Sequence, residues 1–300
     1  MSSAEAITHS GFVAIVGRPN VGKSTLLNHL LGQKISITSR RPQTTRHRIL
    51  GIHTSGNAQF VFVDTPGLHR GGGKAMNRYL NRAADTTLVD VDVILFLVEG
   101  MRWTDEDQMV LDKVRAAGLP TLLIVNKVDQ VTNKAALLPH LQTLGSYMDF
   151  VAIIPVSARR TADVRRVEAE VLKVLPEGAA LFPQDQITDR SERFMAAEIV
   201  REKLTRRLGR EIPYALTVEI EQFKNEGRML VIHALIWVER PGQKAIVVGK
   251  GGENLKLVGQ DARKDMELAF DSKVLLKLWV KVKAGWSDDE RALRSLGYED

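Results

Sequence analysis

The eight residues Gly17-Arg18-Pro19-Asn20-Val21-Gly22-Lys23-Ser24 constrain this chain more than any other stretch. They fit the pattern GxxxxGKS/T, follow an apolar run Phe12–Val16 that reads as a strand, and lead into a helix-forming stretch Thr25–Leu31. In that context the pattern builds a phosphate cradle. Glycines let backbone N–H groups wrap phosphate oxygens at a helix N-terminus, Lys23 brings a point charge to the β- and γ-phosphates, and the Ser24 hydroxyl is a ligand for Mg²⁺.

Three further segments follow in the order a nucleotide site needs. Asp64-Thr65-Pro66-Gly67 comes directly after the apolar strand Phe60–Val63, so Asp64 is expected to hold Mg²⁺ through its water shell and the Gly67 N–H to sense the γ-phosphate. Asn126-Lys127-Val128-Asp129 follows the strand Thr121–Val125. A carboxylate there accepts from N1–H and the 2-amino group of guanine, neither of which adenine offers, so the expected nucleotide is GTP rather than ATP. Ser157-Ala158, after the strand Val151–Val156, is expected to offer a backbone N–H to the guanine O6. Between the first two motifs lies Gln43-Thr44-Thr45-Arg46, where Thr45 is the hydroxyl expected to complete the Mg²⁺ shell with GTP and release it after hydrolysis. The same stretch, rich in arginine, also reads as an ordinary solvated loop.

Hydrolysis lacks one familiar part. Leu68 stands where many GTPases carry a glutamine that orients water, and leucine cannot do so. Hydrolysis is therefore expected to be slow without a partner. A supplied cation is worth roughly 10³–10⁵ in rate, and Asn20 is the residue nominated to hold K⁺ near the β- and γ-phosphates. The expected site thus comprises Gly17 to Thr25, Asp64 to Leu68, Asn126 to Asp129, Ser157 and Ala158, with Lys23, Asn20, Thr45 and Gly67 serving hydrolysis.

Strands buried on both faces and separated by helix-length segments, the third in chain order being Val91–Val98, predict a doubly wound, mostly parallel α/β domain. The stretch Leu175–Ile187 holds two prolines and a glycine without helical periodicity and reads as a linker. We place the first domain at 1–178, the linker at 179–187 and the second domain at 188–300. A helix over 191–208, a strand pair Tyr214–Phe223 and Met229–Glu239, a glycine turn at 249–252, a helix over 253–269 and a strand Val274–Lys283 predict a smaller α+β domain. The run Ile246-Val247-Val248 enters the turn Gly249-Lys250-Gly251-Gly252, the GxxG arrangement with which KH modules clamp about four nucleotides of single-stranded RNA against an apolar groove. On β alternation Lys277, Trp279, Lys281 and Lys283 share one face, an RNA contact or a solvated face in equal measure. Arg201, Lys203, Arg206, Arg207 and Arg210 either add to it or complement a helix dipole.

Bulk charge does not decide the matter: the net charge is +6, but residues 185–300 carry 21 Lys+Arg against 20 Asp+Glu. The absence of cysteine excludes disulfides and thiolate metal sites. Apolar runs such as Val93–Val98 fall far short of the roughly 20 residues a bilayer span needs, and Met1–Gly11 lacks a secretory pattern, so a cytoplasmic protein is expected.

GRPNVGKSTLLN from Gly17, QTTR from Gln43, DTPGLH from Asp64, NKVD from Asn126, FPQDQITDRSERF from Phe182 and GWSDDERALRSLGY from Gly285 together closely resemble the Era family of bacterial GTPases over essentially the whole length. The resemblance implies a GTPase domain joined to a type II KH domain that binds the 3′ end of 16S ribosomal RNA and assists maturation of the 30S subunit. It also implies a monomer with peripheral association at the cytoplasmic face of the inner membrane. Two segments depart from the family: Thr161 replaces a glycine, and Arg70-Gly71-Gly72-Gly73-Lys74 is unusually rich in glycine. The alternative reading keeps the GTPase but makes the C-terminal domain a protein-docking or membrane-surface module.

Overall fold

A computed structural model describes residues 6–39, 41, 44–67, 75–208, 212–296 and 298. They fall into two compact units, one of residues 1–36, 45–71 and 80–189, the other of 37–44, 72–79 and 190–300. In chain order the first half contains β1 (His9–Val16), α1 (Lys23–Leu30), β2 (Ile49–Ser55), β3 (Ala58–Asp64), α2 (Ala75–Thr86), β4 (Val93–Glu99), α3 (Asp105–Ala117), β5 (Thr121–Asn126), α4 (Leu137–Gly145), β6 (Ala152–Pro155) and α5 (Thr161–Leu172).

The six strands form one sheet in the order β2-β3-β1-β4-β5-β6. All pairs are parallel except β2 with β3. The inner stretches of the central strands are apolar because both faces are covered: every residue from Val93 to Val98 is buried. Register sets the chemistry. Ile15 pairs with Asp64 and Glu99 with Asn126, so the loops that leave β1, β3, β4 and β5 emerge side by side at the carboxyl edge. The antiparallel edge strand β2 escapes the sequence reading because ILGIHTS mixes His53 and two hydroxyl residues into a half-buried strand. The irregular segment after α5 is pinned along this sheet. Buried Gln59 accepts from the amides of Leu181 (2.8 Å) and Phe182 (2.9 Å) and donates to the Phe182 carbonyl (2.9 Å), while Ile52 N–H donates to the Ile187 carbonyl (2.8 Å).

The second unit is built from α6 (Glu192–Arg207), β7 (Leu216–Asn225), β8 (Met229–Val238), α7 (Pro241–Val248), α8 (Glu253–Phe270), β9 (Lys273–Val282) and α9 (Glu290–Ser295). Its three strands run β7-β8-β9, with β7 antiparallel and β9 parallel to β8. A parallel pair needs a crossover, and α7 with α8 supplies it. The run Ile246–Val248 is therefore helical, an element that the sequence analysis does not assign: Pro241 fixes the first turn, and the Gln243 side chain accepts from the Arg240 N–H (2.9 Å). Val200, Leu204, Ile232, Ile236, Val258 and Met266 join one core on one side of this sheet. The expected β9 alternation holds over Lys273–Val280, with Val274 and Val280 buried and Lys277 and Trp279 exposed.

The basic residues of α6 have internal partners. Arg201 is buried and donates to both carboxylate oxygens of Glu198 (2.6 Å each) and to the Thr44 carbonyl. Arg206 meets Glu202 at 2.9 Å, and Lys203 meets Asp265 at 2.5 Å. Neither a helix dipole nor RNA is needed to explain them. Arg210 lies outside the described residues.

Candidate nucleotide site and nucleic-acid interface

The phosphate loop turns from β1 into α1 as its sequence predicts. Lys23 is buried, its Nζ donating to the carbonyls of Gly17 (2.9 Å) and Arg18 (3.1 Å). Burial lowers its pKa to about 8, against the pull of Asp64 and with the push of Arg18. Gly22 has φ 108°, and a Cβ there would run into the Asn126 side chain. Asn20 is exposed and also left-handed (φ 66°), a conformation asparagine tolerates better than most residues.

Asp64 is fully buried at the end of β3. Its Oδ2 accepts from the hydroxyls of Ser36 (2.7 Å), Ser24 (2.8 Å) and Thr45 (3.3 Å), and the Ser24 and Thr45 hydroxyls lie 2.8 Å apart. Its Oδ1 is buried with no hydrogen-bond partner, and burial raises its pKa despite those hydroxyls and Lys23. A converging set of oxygens with one orphaned carboxylate oxygen suits a hard cation such as Mg²⁺. Thr45, chosen from sequence, is brought to this cluster. Ser36 was missed, since nothing in its local sequence marks it.

Gly67 packs against the phosphate loop. A Cβ on it would stand 2.9 Å from Pro19 N and Cα and 3.0 Å from Lys23 Nζ, so only glycine fits. Thr65 is buried and donates to the Ile15 carbonyl (3.1 Å), fixing the start of the segment that continues through Pro66. Leu68 and the glycines 71–73 lie outside the described residues.

The base side is braced rather than free. Asn126 donates to the Val21 carbonyl (2.7 Å) and accepts at Oδ1 from the amides of Lys127 (2.8 Å) and Ala158 (2.9 Å). Lys127 has φ 63° and reaches Glu99 at 2.8 Å. Glu99 also takes Arg18 (2.6 Å), whose Nε meets buried Asp107 at 3.0 Å. Burial alone would raise the Glu99 pKa, but hydrogen bonds from Lys127 and Arg18 bring it down. Arg18 thus points its charge into the protein and leaves its backbone to the phosphate loop. Val128 and Asp129 sit on a 3₁₀ turn, with Asp129 exposed. The Ser157 amide donates to Asp163 (2.8 Å) and the Ala158 amide to Asn126. These two bonds tie the Ser157-Ala158 turn to α5 and to Asn126 of the preceding motif. Thr161 opens α5 without left-handed backbone, so the missing glycine costs the loop nothing here.

In the second unit α7 ends and α8 begins at the GxxG turn. Gly249, Gly251 and Gly252 have φ 76°, 61° and 82°, and Gly251 has open space around it, so backbone is accessible there without a covering side chain. Lys250 is exposed in the turn, Ile246 is 51% exposed on α7, and Val248 is partly buried. Lys277 and Lys281 do not join them. They occupy the alternate positions of β9, on the sheet face away from α8 and the core, with Lys281 3.5 Å from Glu221.

Comparison with known proteins agrees with this division. Residues 12–127 match the family model of 50S ribosome-binding GTPases, and residues 211–287 match the KH domain. GTPase Era of Pseudomonas aeruginosa strain LESB58 is 62% identical over 97% of this chain and 95% of its own, and that of Pseudomonas entomophila is 60% identical over 98% of each. The structure of Era in complex with MgGDPNP and nucleotides 1506–1542 of 16S ribosomal RNA superposes with a TM-score of 0.93 at 38% identity, covering 98% of this chain and all of that one. A substituted Aquifex aeolicus Era bound to GDP and AlF4⁻ gives the same score and identity over 97% of this chain. With a GTPase module followed by a KH module and such relatives spanning nearly its whole length, this chain belongs to the Era family of GTPases.

Proposed function

We propose that this GTPase is a switch that binds the 3′ end of 16S ribosomal RNA through its KH domain and assists assembly of the 30S subunit, hydrolysis resetting the RNA-bound state. The observation that carries this is the open GxxG turn, backbone accessible at Gly251, in a chain that matches the RNA-bound Era structure along 98% of its length. On this reading residues 1–178 bind the nucleotide, 179–187 connect, and 188–300 read the RNA as a monomer. Gly249, Lys250, Gly251 and Gly252 contact the RNA backbone while Ile246 and Val248 meet bases.

Residues 17–25, Asp64 to Leu68, Asn126 to Asp129, Ser157 and Ala158 surround GTP or GDP. Ser24, Thr45 and, through water, Asp64 would hold Mg²⁺, which neutralises charge developing on the β- and γ-phosphates. Lys23 adds a cation to the same oxygens, and Thr45 and Gly67 respond to the γ-phosphate. Asn20, exposed at the rim of the loop, would hold K⁺ and do the work of an arginine finger. Equal hydrolysis in NaCl and KCl would exclude that role. The protein is proposed to work in the cytoplasm with a peripheral fraction at the inner membrane, and no described helix is long and apolar enough to cross a membrane.

The test is binding of a labelled single-stranded RNA with the 3′-terminal 16S sequence by the wild type and by Gly251→Asp. Loss of binding in the variant at unchanged GTP affinity is expected, because a carboxylate would meet the phosphates. Unchanged RNA binding would mean that the domain docks something else.

A further inference from the structure

The face of the β7–β8–β9 sheet turned away from the α6–α8 core is not an ordinary solvated surface. It carries two tryptophans on neighbouring strands, Trp237 and Trp279, with Lys277, Lys281 and Lys283 around them. Parallel register sets His233 beside Lys277, Leu235 beside Trp279 and Trp237 beside Lys281. Trp279 is 42% exposed and Leu275 next to its row is 39% exposed. A large aromatic ring left open to water beside a second, partly buried one, in an otherwise well-packed domain, points to a surface with an occupant.

Both rings are held in place. The indole N–H of Trp237 donates to Glu219 (2.9 Å), while Lys281 and Lys283 place their ammonium groups 5.8 and 5.9 Å from its ring centre. His233 stands edge-on to Trp279 with ring centres 5.2 Å apart. A ring fixed by its neighbours loses little entropy when something stacks on it. Residues 277, 279 and 281 alternate lysine, tryptophan, lysine on one face, spaced by about 6.6 Å. Glu219 and Glu221 engage Trp237 and Lys281, and Lys277 and Lys283 leave the face net positive.

Resting on the RNA-binding reading of this domain, we propose that this face is a second contact surface for single-stranded RNA, stacking a base on Trp279 and meeting phosphates with Lys277 and Lys281. A GxxG groove takes about four nucleotides. β9 is the edge strand of the sheet, so a strand leaving the groove passes around that edge onto the outer face. Aromatic platforms flanked by cations are the sequence-tolerant way to hold such a flanking segment.

The experiment compares two labelled RNAs ending in the same 3′-terminal sequence, one of six nucleotides and one of sixteen, with the full-length protein and its Trp279→Ala, Trp279→Phe, Lys277→Ala and Gly251→Asp variants. Trp279→Ala should weaken the sixteen-mer about 5- to 100-fold, the loss of one stacked base, and leave the six-mer and the basal GTPase rate unchanged. Trp279→Phe, which keeps an aromatic face, should restore most of the affinity. Lys277→Ala should lower the salt slope for the sixteen-mer by about 0.7. Equal binding of the sixteen-mer by wild type and Trp279→Ala, with Gly251→Asp inactive on both RNAs, overturns this proposal and leaves the KH reading standing. A Trp279→Ala defect confined to intact subunit particles also overturns it, since the face would then dock protein. Gly251→Asp without effect on either RNA removes the reading on which the proposal rests.

Discussion

At Arg18 the phosphate-loop pattern leaves a position open, and this chain fills it with a buried cation shared by Glu99 and Asp107. Breaking a buried ion pair by removing one partner costs about 3–5 kcal/mol, because the other charge remains buried. Glu99 is partly exposed, so Arg18→Met is expected to lower stability by about 3 kcal/mol, read from the urea midpoint of the nucleotide-free protein; a loss under about 1 kcal/mol would show that water reaches Asp107 freely. The motif residues themselves were legible because each has a local signature: a glycine loop after a strand, a carboxylate at a strand end. Ser36, Glu99 and Asp107 were not. They become neighbours of Asp64 and Arg18 only through sheet register and the α3 cap, and one sequence carries no local mark of either.

Elements are tied by similarly specific contacts. Thr104 caps α3, accepting from the Asp107 amide (3.4 Å) and donating to its carboxylate (2.8 Å). Thr104→Ala is expected to cost about 1 kcal/mol, with calorimetry showing a lowered melting temperature. Across the sheet edge, Glu168 on α5 faces His53 on β2 at 3.4 Å. Hydrogen bonding from His53 holds the Glu168 carboxyl below its ordinary pKa. A carboxyl with a depressed folded pKa contributes stability that is present above its unfolded pKa and is lost as pH falls through the folded one. Glu168→Gln should therefore be less stable than wild type near pH 6, by less than about 1 kcal/mol for a partly exposed pair, and the two denaturation midpoints should converge in acid. Strand-forming apolar runs were read correctly as elements, whereas β2 and α7 were missed. Polar residues break the apolar pattern of β2, and the eight residues of α7 end in an apolar triplet that also suits a strand.

On the scale of the whole chain, its motifs carried the identification further than its composition could. A net charge of +6 says little when residues 185–300 carry 21 Lys+Arg against 20 Asp+Glu. Coupling between the two activities is expected: in KCl, the 3′-terminal 16S RNA should accelerate GTP hydrolysis several-fold and a scrambled strand should not, as followed by phosphate release. Binding without acceleration would place the trigger in the assembled particle. The Asn126 amide, which joins the Val21 carbonyl, the Lys127 amide and the Ala158 amide, makes the nucleotide pocket resemble a lock whose tumblers share one pin. A purine that unsettles the base turn also loosens the loop under the phosphates, so a mismatched nucleotide should be turned over more slowly even when it is saturating.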